Sequence, residues 1–81
     1  MKIRVFTFAA VRDICRFKER CMSVPCNSTV GEVYRRLVEE FESLKCMKDK
    51  LLFAVNESYC DESKILFEDD IIAIFPPVSG G

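Results

Sequence analysis

Gly80 and Gly81 close the sequence in a form that chemistry can use. A carboxylate behind two residues without Cβ atoms fits a channel too narrow for any other residue type. Ahead of the glycines stand Phe75-Pro76-Pro77-Val78-Ser79. The two prolines forbid helix and favour an extended path, so they limit the freedom of the tail near the body of the domain. A tail that merely ends a domain frays and does nothing. The order aromatic, Pro-Pro, then Gly-Gly argues against that, and the carboxylate of Gly81 is the first candidate reactive group.

The rest of the chain offers little else for covalent chemistry. It has no histidine, so imidazole acid–base catalysis and the usual zinc ligand spacings are excluded. The five cysteines, Cys15, Cys21, Cys26, Cys46 and Cys60, are odd in number and contain no Cys-x-x-Cys pair. No secretory leader is apparent, because Lys2 and Arg4 interrupt the apolar positions at the start. We therefore expect reduced thiols, no metal and a cytosolic location.

Eighty-one residues at 49% hydrophobic content are expected to form one domain over residues 1–76, with an extended tail over 77–81. Twelve basic residues against thirteen acidic ones leave no basic stripe, so neither nucleic acid nor an anionic membrane is the expected partner. No apolar run approaches the roughly 20 residues that span a bilayer.

The elements that must carry the tail follow from periodicity. Residues 2–8 alternate as a strand, with Ile3, Val5 and Thr7 on one face and Lys2, Arg4, Phe6 and Phe8 on the other. The charges mark the second face as wet, so Phe6 and Phe8 either lie under a loop or belong to a binding surface. Residues 9–15 read as a loop or one short turn, and residues 17–24 as a second strand with Met22 and Val24 inward. Thr29 and Glu32 fit a capping box. The stripe Val30, Val33, Tyr34, Leu37, Val38, Phe41 and Leu44 predicts one long helix over residues 30–44, with Arg35/Glu39 and Arg36/Glu40 spaced as i,i+4 pairs on its wet side. Residues 46–50 read as a polar connection. Residues 51–56 and 58–60 read as strands joined by a turn at Asn56-Glu57, and residues 71–75 as the last strand, with Ile72 and Ile74 on one face. The order β-β-α-β-β-β predicts an α+β domain of β-grasp type: a mixed sheet of four to five strands, first and last side by side and parallel, with one main helix across one face.

The sequence resembles the ubiquitin-like sulfur carriers that form the small subunit of molybdopterin synthase. The likeness rests on Phe8-Ala9-Ala10-Val11-Arg12, Leu52-Phe53-Ala54-Val55-Asn56 and Phe75-Pro76-Pro77-Val78-Ser79-Gly80-Gly81, in that order and across the whole chain. Cys46-Met47-Lys48-Asp49-Lys50 and the number of cysteines depart from it. The resemblance implies the following chemistry. An E1-like activating enzyme adenylates the Gly81 carboxylate with ATP and Mg²⁺, and sulfur displaces AMP to leave a thiocarboxylate. The tail then enters the large synthase subunit, in a heterotetramer, and gives sulfur to cyclic pyranopterin monophosphate. Gly80, Ser79, Val78, Pro77 and Pro76 are then the tail that fills the channel, and Phe8, Arg12, Tyr59 and Phe75 the surface shown to partners. The chain is a non-catalytic donor with no permanently bound cofactor. A ubiquitin-like protein modifier, or a carrier for thiamine synthesis or transfer-RNA thiolation, would use the same C-terminal activation. A binding module with an inert tail is the third reading.

Overall fold

A computed structural model describes residues 1–76, with the side chains of residues 48–50 left aside. The Gly80-Gly81 terminus and the rest of the predicted tail, residues 77–81, thus lie outside the described residues.

Five strands form one mixed sheet: β1 (Lys2–Thr7), β2 (Glu19–Ser23), β3 (Leu52–Val55), β4 (Ser58–Cys60) and β5 (Ile71–Phe75). Their spatial order is β2-β1-β5-β3-β4. The first and last strands run parallel at the centre, in the register Val5↔Ile72, and every other pairing is antiparallel. This is the expected β-grasp arrangement.

Helix α2 (Val30–Glu40) crosses the face carrying Ile3, Val5, Ile72 and Ile74, and these side chains are at most 1% exposed. Val30, Val33 and Leu37 meet them from the helix, while Tyr34 packs edge-on against Phe53 at 5.7 Å. The cap forms as expected: Glu32 N–H donates to Thr29 Oγ1 at 3.2 Å. Two further N–H groups of the first turn are satisfied by a distant loop, Val30 N–H donating to Lys64 O and Gly31 N–H to Glu62 O. The helix start is therefore pinned to the segment leading into β5.

Four expectations need correction. Residues 9–15 form helix α1 (Ala9–Cys15), not a loop or single turn. Val11 and Cys15 bury on one side, but Phe8 at its N-cap provides no side-chain cap, and seven residues are too few for a strong periodic pattern. Helix α2 stops at Glu40 rather than continuing to residue 44. Phe41 leaves helical geometry at φ −127° and ψ 84°, and a 3₁₀ helix (Glu42–Lys50) follows. Leu44 still buries fully, with its carbonyl accepting from Tyr34 Oη at 2.9 Å, so the apolar stripe continues across the break. Lastly, Arg36 and Glu40 engage β2 rather than each other: Arg36 Nη1 donates to Ser23 O at 2.9 Å, and Glu40 pairs with Arg20 at 2.7 Å. The second strand also begins at Glu19, two residues later than expected.

Candidate functional site

Among the described residues no helix covers the sheet face opposite α2, and its middle is hollow. One cross-strand row reads Glu19, Phe6, Ala73, Ala54, Tyr59 from β2 to β4. Two alanines at the centre of the row leave a floor between taller neighbours. Phe6 and Tyr59 wall the two sides, Phe8 and Phe75 close one end, and Ile71, Asn56 and Glu57 close the other. The resulting groove encloses about 590 Å³. Among the described residues, Glu57 is the one ionisable carboxylate in its lining, so the surface is overwhelmingly apolar.

Each aromatic is placed by a local cause. Phe8 leaves β1 on the open face because Thr7, on the core face, is 0% exposed and donates its hydroxyl to Phe17 O. Ala9 then takes a left-handed φ of 49°, which turns the chain into α1 immediately after the Phe8 ring. The Phe8 ring lies flat on Phe75, with centroids 4.7 Å apart and planes 11° apart. Arg12, one helical turn on, lies 5.9 Å above the Phe8 ring and donates from Nε to Thr7 O at 3.3 Å. Tyr59 tilts toward Phe75 at 6.2 Å and is 72% exposed. Phe8, Arg12, Tyr59 and Phe75 thus form one cluster at the point where the chain passes through half-buried Pro76 toward the tail. The expectation that Phe8 and Phe75 are partly exposed holds: both are half-buried. Of the two readings of the wet face, the binding surface fits the described residues, among which no loop covers the groove.

The far end of the groove is held by a polar network absent from the sequence reading. Asn56 Nδ2 donates to Asp70 Oδ1 at 2.9 Å, Ile71 N–H donates to Asn56 Oδ1 at 3.0 Å, and Phe67 N–H donates to Asp70 Oδ2 at 2.8 Å. Asn56 and Glu57 both take positive φ, 49° and 73°, as the tight β3–β4 hairpin requires. Ala54, Ala73 and Asn56 belong to the groove without any such expectation from the sequence, and Phe6 joins them. The alternation that placed Phe6 on the wet face was the available signal.

No group of three or more Cys, Asp or Glu side chains among the described residues is arranged to hold a metal ion. All five thiols are unpaired, Cys15 and Cys60 away from open solvent. Burial pushes the Cys15 thiol up to about 11 and raises that of Cys60, so both stay protonated at neutral pH.

Comparison with known proteins matches residues 5–81, nearly the whole chain with its tail, to the ThiS family. The chain belongs to the ThiS family. The molybdopterin synthase sulfur carrier subunit of Drosophila melanogaster is 38% identical over 84 aligned positions, covering 100% of this chain and 92% of that protein. The crystal structure of SAMP1 from Haloferax volcanii superposes with a TM-score of 0.86 at 22% identity, covering both chains completely. A chain in the complex of subunits 1 and 2 of the molybdopterin-converting factor from Helicobacter pylori superposes at 0.70 and 24% identity, again with complete coverage of both. These two likenesses carry the fold, and membership of the ThiS family rests on the sequence match.

Proposed function

We propose that this chain is the sulfur-carrier subunit of a molybdopterin synthase and that Gly81 bears the sulfur. The observation supporting this most directly is the 38% identity, over its full length, with a carrier subunit of that name. On this reading, an E1-like enzyme adenylates the Gly81 carboxylate with ATP and Mg²⁺, because an unactivated carboxylate is a poor electrophile. Sulfur displaces AMP, and the resulting thiocarboxylate is a nucleophile held on a leash. Tethering raises its effective concentration without releasing sulfide. The thiocarboxylate attacks cyclic pyranopterin monophosphate inside the large subunit. Gly80 and Ser79 occupy the channel, with Val78, Pro77 and Pro76 at its mouth. The chain acts in the cytosol as the donor of a heterotetramer, and no side chain of its own serves as acid or base.

The groove is the docking surface this reading requires. It is apolar, it sits beside Pro76, and its four aromatics rim a hollow that a partner side chain could fill. The H. pylori complex of subunits 1 and 2 supports such a large-subunit partner. Activating enzyme and large subunit would use the same surface in turn.

The test is to incubate the chain with activating enzyme, ATP and a sulfur donor, then measure its intact mass. A gain of about 16 Da marks oxygen replaced by sulfur. Deleting Gly81 should abolish that gain while leaving the melting temperature unchanged. One extended residue contributes about 3.3 Å of reach, and a misplacement on the order of 1 Å already costs about 10²-fold in rate. Normal thiocarboxylate formation without Gly81, or isopeptide ladders in cells instead of the mass gain, would overturn the reading.

A further inference from the structure

The outer edge of β2 carries a self-complementary pattern. Met1 and Val24 exchange both backbone hydrogen bonds, at 2.9 and 2.8 Å, and Thr7 N–H donates to Lys18 O at 3.1 Å. In an antiparallel pair, hydrogen-bonded residues alternate with non-bonded ones. Lys18, Arg20, Met22 and Val24 therefore point their backbone groups toward β1, while Glu19, Cys21 and Ser23 point theirs outward. No strand among the described residues pairs with that edge. Such a row of donors and acceptors is a template for an added strand.

We propose that a second copy of this chain adds there, antiparallel, about a two-fold axis through Cys21. Three registers keep at least two outward residues of each copy opposite outward residues of the other, and two of them are poor. Pairing Glu19 with Cys21 of the second copy sets Arg20 against Arg20, a like-charge contact. Pairing Cys21 with Ser23 sets Glu19 against Pro25, which has no N–H to donate. The remaining register places Cys21 opposite Cys21, Glu19 opposite Ser23 and Arg20 opposite Met22, with no charge clash. It also brings complementary charges together. Arg36 sits at the Ser23 end of β2 and Glu40 at the Arg20 end, so the two-fold brings Arg36 of each copy to the end where Glu40 of the other stands. The Ser23 carbonyl already accepts from Arg36, and its second lone pair remains for Glu19 N–H of the second copy. The contact is isologous and closes as a dimer. It leaves the groove open, because the groove lies over β1, β5, β3 and β4.

Cys21 is exposed and lies on the axis, so it reports the contact. Paired residues in such a ladder have Cα atoms about 5.5 Å apart, within the range a disulfide spans. With oxidised glutathione as oxidant, one Cys21 thiolate attacks a glutathione sulfur and expels glutathione thiolate. The second Cys21 thiolate then displaces the other glutathione, so two protein thiols are oxidised as one glutathione disulfide is reduced.

The experiment compares three full-length chains, each keeping buried Cys15 and one of Cys21, Cys26 or Cys46, with the other cysteines changed to serine. In glutathione disulfide buffer, the Cys21 chain is expected to form linked dimer at least about tenfold faster than the other two, since the ladder raises local thiol concentration. Adding Ser23→Pro removes an outward N–H without touching the β1 ladder, and adding Arg36→Glu reverses the charge facing Glu40. Each should erase the advantage. Should Ser23→Pro fail to fold, as read by circular dichroism, Arg36→Glu alone decides. Equal rates in the three chains, or a Cys21 rate indifferent to Arg36→Glu, would overturn the proposal.

Discussion

Replacing Phe75 with aspartate separates the docking role of the groove from its structural role. Phe75 is half-buried, so its removal forfeits about half of the 1.5–3 kcal/mol of a fully buried ring, roughly 1–1.5 kcal/mol. The flat stack on Phe8 contributes about 0.5–1.5 kcal/mol more. The fold should therefore lose about 1.5–3 kcal/mol, from a total of about 4–12 kcal/mol for a domain of this length, and stay folded. Binding loses more in relative terms. A partner that covers the groove would bury the exposed half of the ring, about 1–1.5 kcal/mol, and an unpaired carboxylate left there costs about 1–3 kcal/mol. Together that is about 2–4 kcal/mol, or roughly a 30- to 1,000-fold weaker Kd. Calorimetric titration against the large synthase subunit reads the Kd, and urea unfolding of the same samples reads the stability. Two companions sharpen the result. Tyr59→Asp, at a rim position 72% exposed, should weaken binding comparably at little cost in stability. Phe67→Asp, 64% exposed but outside the groove, should change Kd by less than about threefold. A folded Phe75→Asp or Tyr59→Asp chain that binds like the wild type would refute the assignment of the groove.

Glu57 holds a left-handed φ of 73° in the β3–β4 turn, so Glu57→Gly should stabilise the domain by about 0.5–1 kcal/mol, seen as a higher urea midpoint at unchanged slope. Asp70→Ala leaves the Phe67 N–H and the Asn56 amide without their acceptors and should cost about 2–4 kcal/mol in the same assay. Cys15 should stay unmodified by a thiol reagent at pH 8 while Cys21, Cys26 and Cys46 react. Its thiol is raised from 9.0 to about 11 by burial, so the unfolded chain loses that proton first. Its contribution to stability is complete below pH 9 and falls away between pH 9 and about 11, and this alkaline loss should be absent from Cys15→Ala.

Alternation and the three-four stripe were legible without coordinates because each needs only its own segment. Ile3, Val5 and Thr7 share a face through strand geometry alone, and Val30, Val33 and Leu37 share one through the helical repeat. The hairpin at Asn56-Glu57 was legible for the same reason. The apolar content of both β1 and β5 was enough to place them side by side at the centre. What local pattern could not decide was set by packing between distant segments. Helix α1 has no side-chain cap at its N-terminus and only seven residues, and it persists because Val11 and Cys15 find the core. The break at Phe41 is invisible in the stripe, since Leu44 reaches the same core from a 3₁₀ helix. Arg36 and Glu40 have the spacing of an intrahelical pair, yet β2 offers each a partner at hydrogen-bond distance. The groove depends most on tertiary structure. Ala54 and Ala73 are unremarkable residues 19 positions apart in sequence, and only the β3–β5 register sets them side by side as a floor between aromatics. Sequence carried the Gly-Gly terminus proposed to bear sulfur and the types of its neighbours. Register made them into a surface, because which side chains face one another across strands is settled by pairing and not by order along the chain.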